Sequence, residues 1–179
     1  VADALGDLPE VDLAVLYGGR NAVHGLAFLP LLKEQLFVVG PNSMPAPPEE
    51  VPLRMLAELD LVLARPYNVV RKMVDEAFAG IGLAPRVVAE IESASTLIAV
   101  IADGLGATIL PASMAREVTS SCDAWRCRIV DPVIEAPLAL CQSDHLPLSE
   151  PAQAIKAIVL ELVAAVPGRV STTQSNSPR

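Results

Sequence analysis

Glu90-Ile-Glu-Ser-Ala-Ser-Thr-Leu-Ile-Ala-Val-Ile-Ala-Asp-Gly-Leu-Gly-Ala-Thr-Ile-Leu-Pro111 reads as strand, helix, glycine turn and strand in direct succession. Glu90 and Ile91 close an apolar run that begins at Arg86-Val-Val. Ser93 suits an N-cap, because its hydroxyl can accept from an unpaired N–H of the helix's first turn. Ala94, Leu97, Ile98 and Ile101 then fall on one helical face, and Gly104 ends the helix. Ala107-Thr-Ile-Leu110 is the next strand, closed by Pro111. Strands alternating with helices in this way imply an α/β fold on a parallel sheet with right-handed crossovers.

Upstream, Val70, Met73, Val74, Ala77, Phe78 and Ile81 recur at helical spacing with Arg71, Lys72, Asp75 and Glu76 opposite them, so an amphipathic helix is expected there. Pro66 suits its first turn, and Gly80 or Gly82 its C-terminal cap. Leu61-Val-Leu-Ala64 reads as a buried strand, as do Asp12–Tyr17 and Gln35–Gly40, and Leu53–Leu59 as a short helix. The stretch Pro41–Pro52 carries prolines at 41, 45, 47, 48 and 52, which forbid a helix and point to a crossing between lobes. Downstream, Ser113–Val118 suits a short helix, and Trp125 falls in a loop-like segment. Arg128–Asp131 and Pro137–Cys141 read as strands. A closing helix begins near Ser149, with Pro151 in its first turn and Ile155, Ile158, Val159, Leu162, Val163 and Val166 on one side. Pro167–Arg179 is polar, lacks an apolar period and is expected to be a disordered tail.

The chain has 179 residues, 52% of them hydrophobic, and a mean hydropathy of +0.45. No run reaches the length of uncharged apolar residues that a membrane span requires, since Asp103, Lys156 and Glu161 interrupt the richest segments. No secretory leader opens the chain, so a cytoplasmic location is expected, with no membrane partner. A net charge of −8 repels phosphate polyanions, which argues against a nucleic-acid-binding face in these residues. Three cysteines, 122, 127 and 141, do not form a disulfide framework, and with only His24 and His145 to join them no metal site is expected. No nucleotide or hydrolase motif is present, so neither a cofactor nor an enzymatic activity is expected. Asp144-His145 pairs a histidine with a carboxylate but lacks a nucleophile, and reads as a solvated loop pair.

In open α/β sheets, ligands collect beyond the carboxyl ends of strands, where helix N-termini present free N–H groups and a partial positive charge. Four such ends occur here: Tyr17–Arg20, Arg65–Asn68, Glu90–Thr96 and Leu110–Ser113. Ser93, Ser95 and Thr96 suit a carboxylate or an amide, and equally an ordinary serine cap with solvated neighbours. Arg65 and Arg71 suit an anion, and each also suits a surface glutamate, the latter reading being favoured for Arg71. Tyr17 and Tyr67 both stand at expected strand ends, where a packed ring with a satisfied hydroxyl is the alternative.

The run from Glu90 to Pro111, together with Leu8–Tyr17 (LPEVDLAVLY) and Pro30–Gly40 (PLLKEQLFVVG), resembles the effector-binding domain of LysR-type transcriptional regulators. The family's strand, P-L-L-x-E-x-L strand and G-L-G-x-x-x-L-P elements recur in order. Arg71–Phe78 (RKMVDEAF) and Glu90–Ser93 (EIES) resemble the nitrogen-assimilation-control branch. The resemblance implies a two-lobe fold like the type 2 periplasmic binding proteins, with two crossing strands as a hinge. Mapped here, lobe I is residues 1–43 plus 139–166 and lobe II is 44–138. It implies effector contacts from Tyr17, Gly18, Arg65, Tyr67, Glu92, Ser93 and Ser95, a polar or anionic metabolite as effector, and a homodimer or tetramer. DNA would be reached only through an N-terminal winged helix-turn-helix, which these residues do not contain. The family's opening strand-helix-strand of lobe I is also missing, which implies a partial chain with apolar faces awaiting a partner. A solute-binding protein of a transporter shares the two-lobe fold and is the alternative.

Overall fold

The computed structural model describes residues 12–18 and 25–166. The expected tail at 167–179 lies outside the described residues, as do Gly19, Arg20 and His24. Eight strands and four α-helices follow in order: β1 (Leu13–Tyr17), β2 (Leu26–Pro41), β3 (Glu50–Pro52), a 3-10 helix (Leu53–Glu58), β4 (Leu61–Leu63), α1 (Val69–Gly80), β5 (Val87–Glu90), α2 (Ala94–Ala102), β6 (Thr108–Pro111), α3 (Ala112–Ser121), β7 (Ala124–Val130), β8 (Glu135–Ser143) and α4 (Glu150–Ala164).

The described residues divide into two compact units, residues 34–136 and residues 12–18 and 25–33 with 137–166. The chain passes between them inside β2, at Lys33/Glu34, and inside β8, at Ala136/Pro137. The proline-rich stretch Pro41–Pro52 therefore falls within the first unit, and the second half of β2 goes with it. The reason is pairing: Leu36–Val39 bond to β6, and Phe37–Pro41 bond to β7.

In the 34–136 unit, both of those pairings are antiparallel, whereas β3 pairs β7 in parallel and β4 pairs β5 in parallel. The sheet is thus mixed, which corrects the expected all-parallel sheet. Apolar runs such as Phe37-Val-Val and Thr108-Ile-Leu report burial on both faces and carry no information on strand direction. Strand β7 starts four residues earlier than expected and takes in Trp125, which sits opposite Gly40 with its Nε1–H donating to the Met44 carbonyl at 3.0 Å. Any Cβ at position 40 would overlap the indole ring, so glycine is required there by the close approach.

The core of this unit gathers Val39, Val62, Leu97, Ile101, Leu110, Ala115 and Val118. Helix α1 buries Val74 and Phe78, two of the positions picked out by its period. Its cap is Asn68, whose Oδ1 accepts from the N–H groups of Val70 (2.9 Å) and Arg71 (3.4 Å). Pro66 accordingly lies in the turn before the helix and not in its first turn. Gly82, with φ +72°, follows the helix end in a conformation that glycine adopts freely.

In the other unit, β1 pairs antiparallel with β8, and a smaller core is made by Leu31, Leu140 and Val163. Ser149 caps α4 through the Ala152 N–H at 3.4 Å, and its own hydroxyl donates to Asp12 at 2.5 Å. No helix among the described residues is long and apolar enough to cross a membrane.

Candidate functional site

Strands β4 and β5 run side by side in parallel, so their carboxyl ends lie at the same edge. Each is followed by a short loop and then a helix N-terminus: Ala64–Asn68 leads into α1, and Ile91–Ser93 into α2. The Ile91 N–H donates to the Leu63 carbonyl at 2.9 Å, which holds the two loop bases together. One step further out, the Arg65 N–H donates to Glu92 Oε1 at 2.7 Å. The Asn68 N–H closes the first loop on the Arg65 carbonyl at 2.9 Å.

Ser93 caps α2 by accepting from the Thr96 N–H at 3.4 Å, and its Oγ lies 2.9 Å from Ser95 Oγ. Capping and a pair of exposed hydroxyls therefore coexist at this helix start. Tyr67 stands in the same turn as Arg65 with about half of its surface in solvent. Among the described residues, no ion pair engages the Arg65 guanidinium. The structure thus brings five of the seven expected residues together, Arg65, Tyr67, Glu92 and Ser93 on two adjoining loops and Ser95 in the first turn of α2. Tyr17 and Gly18 belong to the other unit, at the end of β1. Gly18 is buried, has φ +135°, and donates its N–H to the Pro137 carbonyl at 2.8 Å, so a side chain there would be strained.

The two loops and the helix start offer a cation, hydroxyls that can donate or accept, helix-end N–H groups and the Glu92 carboxylate as a charged acceptor. That set can orient a small molecule carrying acceptors and at least one donor. The fourth strand end differs: Ser113 donates its hydroxyl to Glu34 at 2.9 Å. The three thiols have pKa values raised by burial, with Asp123 adding to the effect at Cys122 and Glu50 at Cys127. His145 is mostly exposed, 3.0 Å from Asp144, as a solvated loop pair would be. No cluster of three metal-ligating side chains occurs among the described residues. An open groove of about 540 Å³ lies along α4, lined by Gln142, Leu148, Gln153, Lys156, Ala157 and Leu160, and none of the seven expected residues lines it.

The glutamate pairing favoured for Arg71 is present, to Glu90, but its further bond to a main-chain carbonyl and the capping role of Asn68 were not expected from the sequence. Arg71 touches Asp75, Glu90 and the Ala64 carbonyl at once. The i,i+4 spacing to Asp75 signalled one of these contacts, and the others depend on how the strands pair.

A family model for the LysR substrate binding domain matches residues 7–164. The chain belongs to that family. This LysR-family domain is 43% identical over 155 residues to the nitrogen assimilation regulatory protein nac of Klebsiella aerogenes, an alignment covering 87% of the chain and 50% of the relative. It spans about half the length of the curated relatives it matches. Among solved structures, its fold is shared by the effector-binding domain of QuiR in complex with shikimate, with a TM-score of 0.76, 21% identity and coverage of 92% of this chain and 78% of that one. It is shared equally by the Synechocystis PCC6803 CcmR regulatory domain in complex with 2-PG, with a TM-score of 0.77, 18% identity and coverage of 92% and 80%. The LysR family match and the nac relative favour the regulator over the transporter alternative.

Proposed function

We propose that this LysR-family domain senses a small polar or anionic metabolite for a transcriptional regulator of nitrogen metabolism, and that it also carries self-association as a homodimer or tetramer. The observation that carries the reading is the 43% identity to the nac protein over nearly all of this chain. In this reading Arg65, Tyr67, Glu92, Ser93 and Ser95 contact the effector from the loops after β4 and β5, and Tyr17 and Gly18 form a second contacting group after β1. The exposed tyrosine, the Arg65 guanidinium with no ion pair among the described residues and the paired hydroxyls support the first group. DNA is contacted by a winged helix-turn-helix elsewhere in the protein, in keeping with the −8 charge here. The activity is binding and not catalysis, and its setting is the cytoplasm. Effector binding shifts an equilibrium between two arrangements of the protein, and the shift is limited by the effector's differential affinity for them.

Calorimetry of the protein against a panel of small carboxylates, amino acids and nitrogen metabolites tests this reading. At least one compound is expected to bind, with Tyr67→Ala and Ser93→Ala each weakening it by about tenfold or more. Affinities unchanged in both variants would move the site elsewhere.

A further inference from the structure

We propose that Arg71 is a positioning residue for the effector loops, setting the geometry of Arg65 and Glu92 without contacting the effector itself. The inference rests on the effector reading of those loops. Arg71 has a side chain only 10% exposed, although its two acidic partners are 38% and 40% exposed. A guanidinium withdrawn from water must be matched by acceptors. Here its Nε–H reaches both oxygens of Asp75 at 2.9 Å, and its Nη1 donates to the Ala64 carbonyl at 2.7 Å and to Glu90 Oε1 at 3.2 Å.

Those acceptors come from three elements. Asp75 is one turn along α1, Ala64 is the first residue after β4, and Glu90 is the last residue of β5. Arg65 follows Ala64 directly, and Glu92 lies two residues after Glu90, so one planar group holds the base of each loop. The loops then meet at the Arg65 N–H to Glu92 contact. An exposed i,i+4 pair contributes little and needs no third or fourth acceptor. The bond to a main-chain carbonyl at the loop base is what distinguishes this residue from such a pair. Lysine, whose donors all sit on one nitrogen of a flexible stem, cannot reproduce the fixed fork in which Nε serves Asp75 while Nη1 serves Ala64 and Glu90.

Arg71→Lys separates positioning from general stability. Amide hydrogen exchange in the purified protein is expected to accelerate about tenfold at Arg65 and Asn68. The Val62 amide, bonded to the Ala107 carbonyl at 2.8 Å, is expected to stay unchanged, with little shift in Tm. Glu90→Gln, which weakens one arm only, is expected to move the same two amides by less, and it keeps the test open should the lysine variant fold poorly. Exchange that is unchanged, or that rises equally at Val62 and Arg65, overturns the proposal. Calorimetry with L-glutamate, L-glutamine and citrate supplies the second readout. If one of them binds the unsubstituted protein, Arg71→Lys is expected to weaken it about tenfold at nearly constant Tm, and an unchanged affinity overturns the proposal. If none binds, the effector reading loses its support from these probes, while the exchange data still decide whether Arg71 fixes the loops.

Discussion

Helices α2 and α4 are built from similar residues and end up in different circumstances. In α2, Leu97 and Ile101 are buried within a cluster that includes Val39, Val62, Leu110, Ala115 and Val118. In α4, only Ala152 and Val163 are buried, while Ile155, Ile158 and Leu162 are 54%, 55% and 65% exposed. The same contrast holds for the units that contain them. The 34–136 unit closes around Leu36, Leu53, Leu56, Leu61, Phe78 and Ile129, all essentially inaccessible. Besides Gly18, the other unit buries only Leu31, Ala139, Leu140, Cys141, Ala152 and Val163 among its described residues. Loops that must hold side chains in place for a ligand are better supported on the first kind of core. That is where five of the seven expected effector residues stand.

The largest expected effect breaks this comparison at its strongest point. Ile101→Ala opens a cavity in the α2 cluster and is expected to destabilise by about 2–5 kcal/mol in a denaturant titration. Leu140→Ala, in the smaller cluster with more room to relax, is expected at the lower end of that range. Leu162→Ala, at a mostly exposed position, should stay within about 0.5 kcal/mol. An equal loss from Leu140→Ala and Ile101→Ala would remove the distinction between the two cores.

A smaller effect compares the caps. Asn68→Ala deprives two N–H groups of α1 of their acceptor and is expected to cost about 1 kcal/mol. Ser149→Ala costs about the same at α4, because there too one side-chain acceptor is lost. Circular dichroism melts of the two variants check both values. If Asn68→Ala also weakens the binding of a panel compound and Ser149→Ala does not, the distinction between the site-bearing unit and its neighbour is sharpened.

The smallest effect is on pH dependence and touches both units, since Cys127 and Cys141 are buried one in each. Burial raises both thiols above their ordinary value of 9.0. A raised value means that the folded chain keeps its thiol protons to higher pH than the unfolded chain does. Stability is therefore expected to be level below pH 9 in respect of these groups and to fall as the pH rises through their folded values. Substituting Cys127 and Cys141 with alanine should flatten that alkaline decline. A decline of equal steepness in the substituted protein would assign it to other groups.

Much of the fold was legible because it rests on local signals. The period of Val70, Met73, Val74, Ala77 and Phe78 places α1, Ser93 caps α2 as its position required, and Gly104 and Gly82 mark helix ends. Strand direction was not legible, because Phe37-Val-Val and Thr108-Ile-Leu look the same whether their neighbours run parallel or antiparallel. Strand β7 begins before the apolar run Arg128–Asp131, and its earlier residues show only the alternation of exposed Arg126 and Arg128 with buried Cys127 and Ile129. Strand-end reasoning picked out the loops of the candidate site, because position relative to a parallel pair depends on element order alone. For Arg71 a glutamate partner was legible, but the joint hold on Ala64 and Glu90 was not, because those two residues become neighbours only when β4 and β5 pair. A contact made by tertiary pairing leaves no spacing in the sequence to read.

In the proposed reading, the effector is held by the loops after β4 and β5 and not by the groove along α4. Titrating the protein with a binding member of the metabolite panel, while following its backbone amide resonances, tests this most directly. The signals of Arg65, Tyr67, Ser93 and Ser95 are expected to move and those of Gln142, Gln153 and Lys156 to stay in place. Shifts concentrated at the groove residues, with the loop signals unmoved, would contradict it.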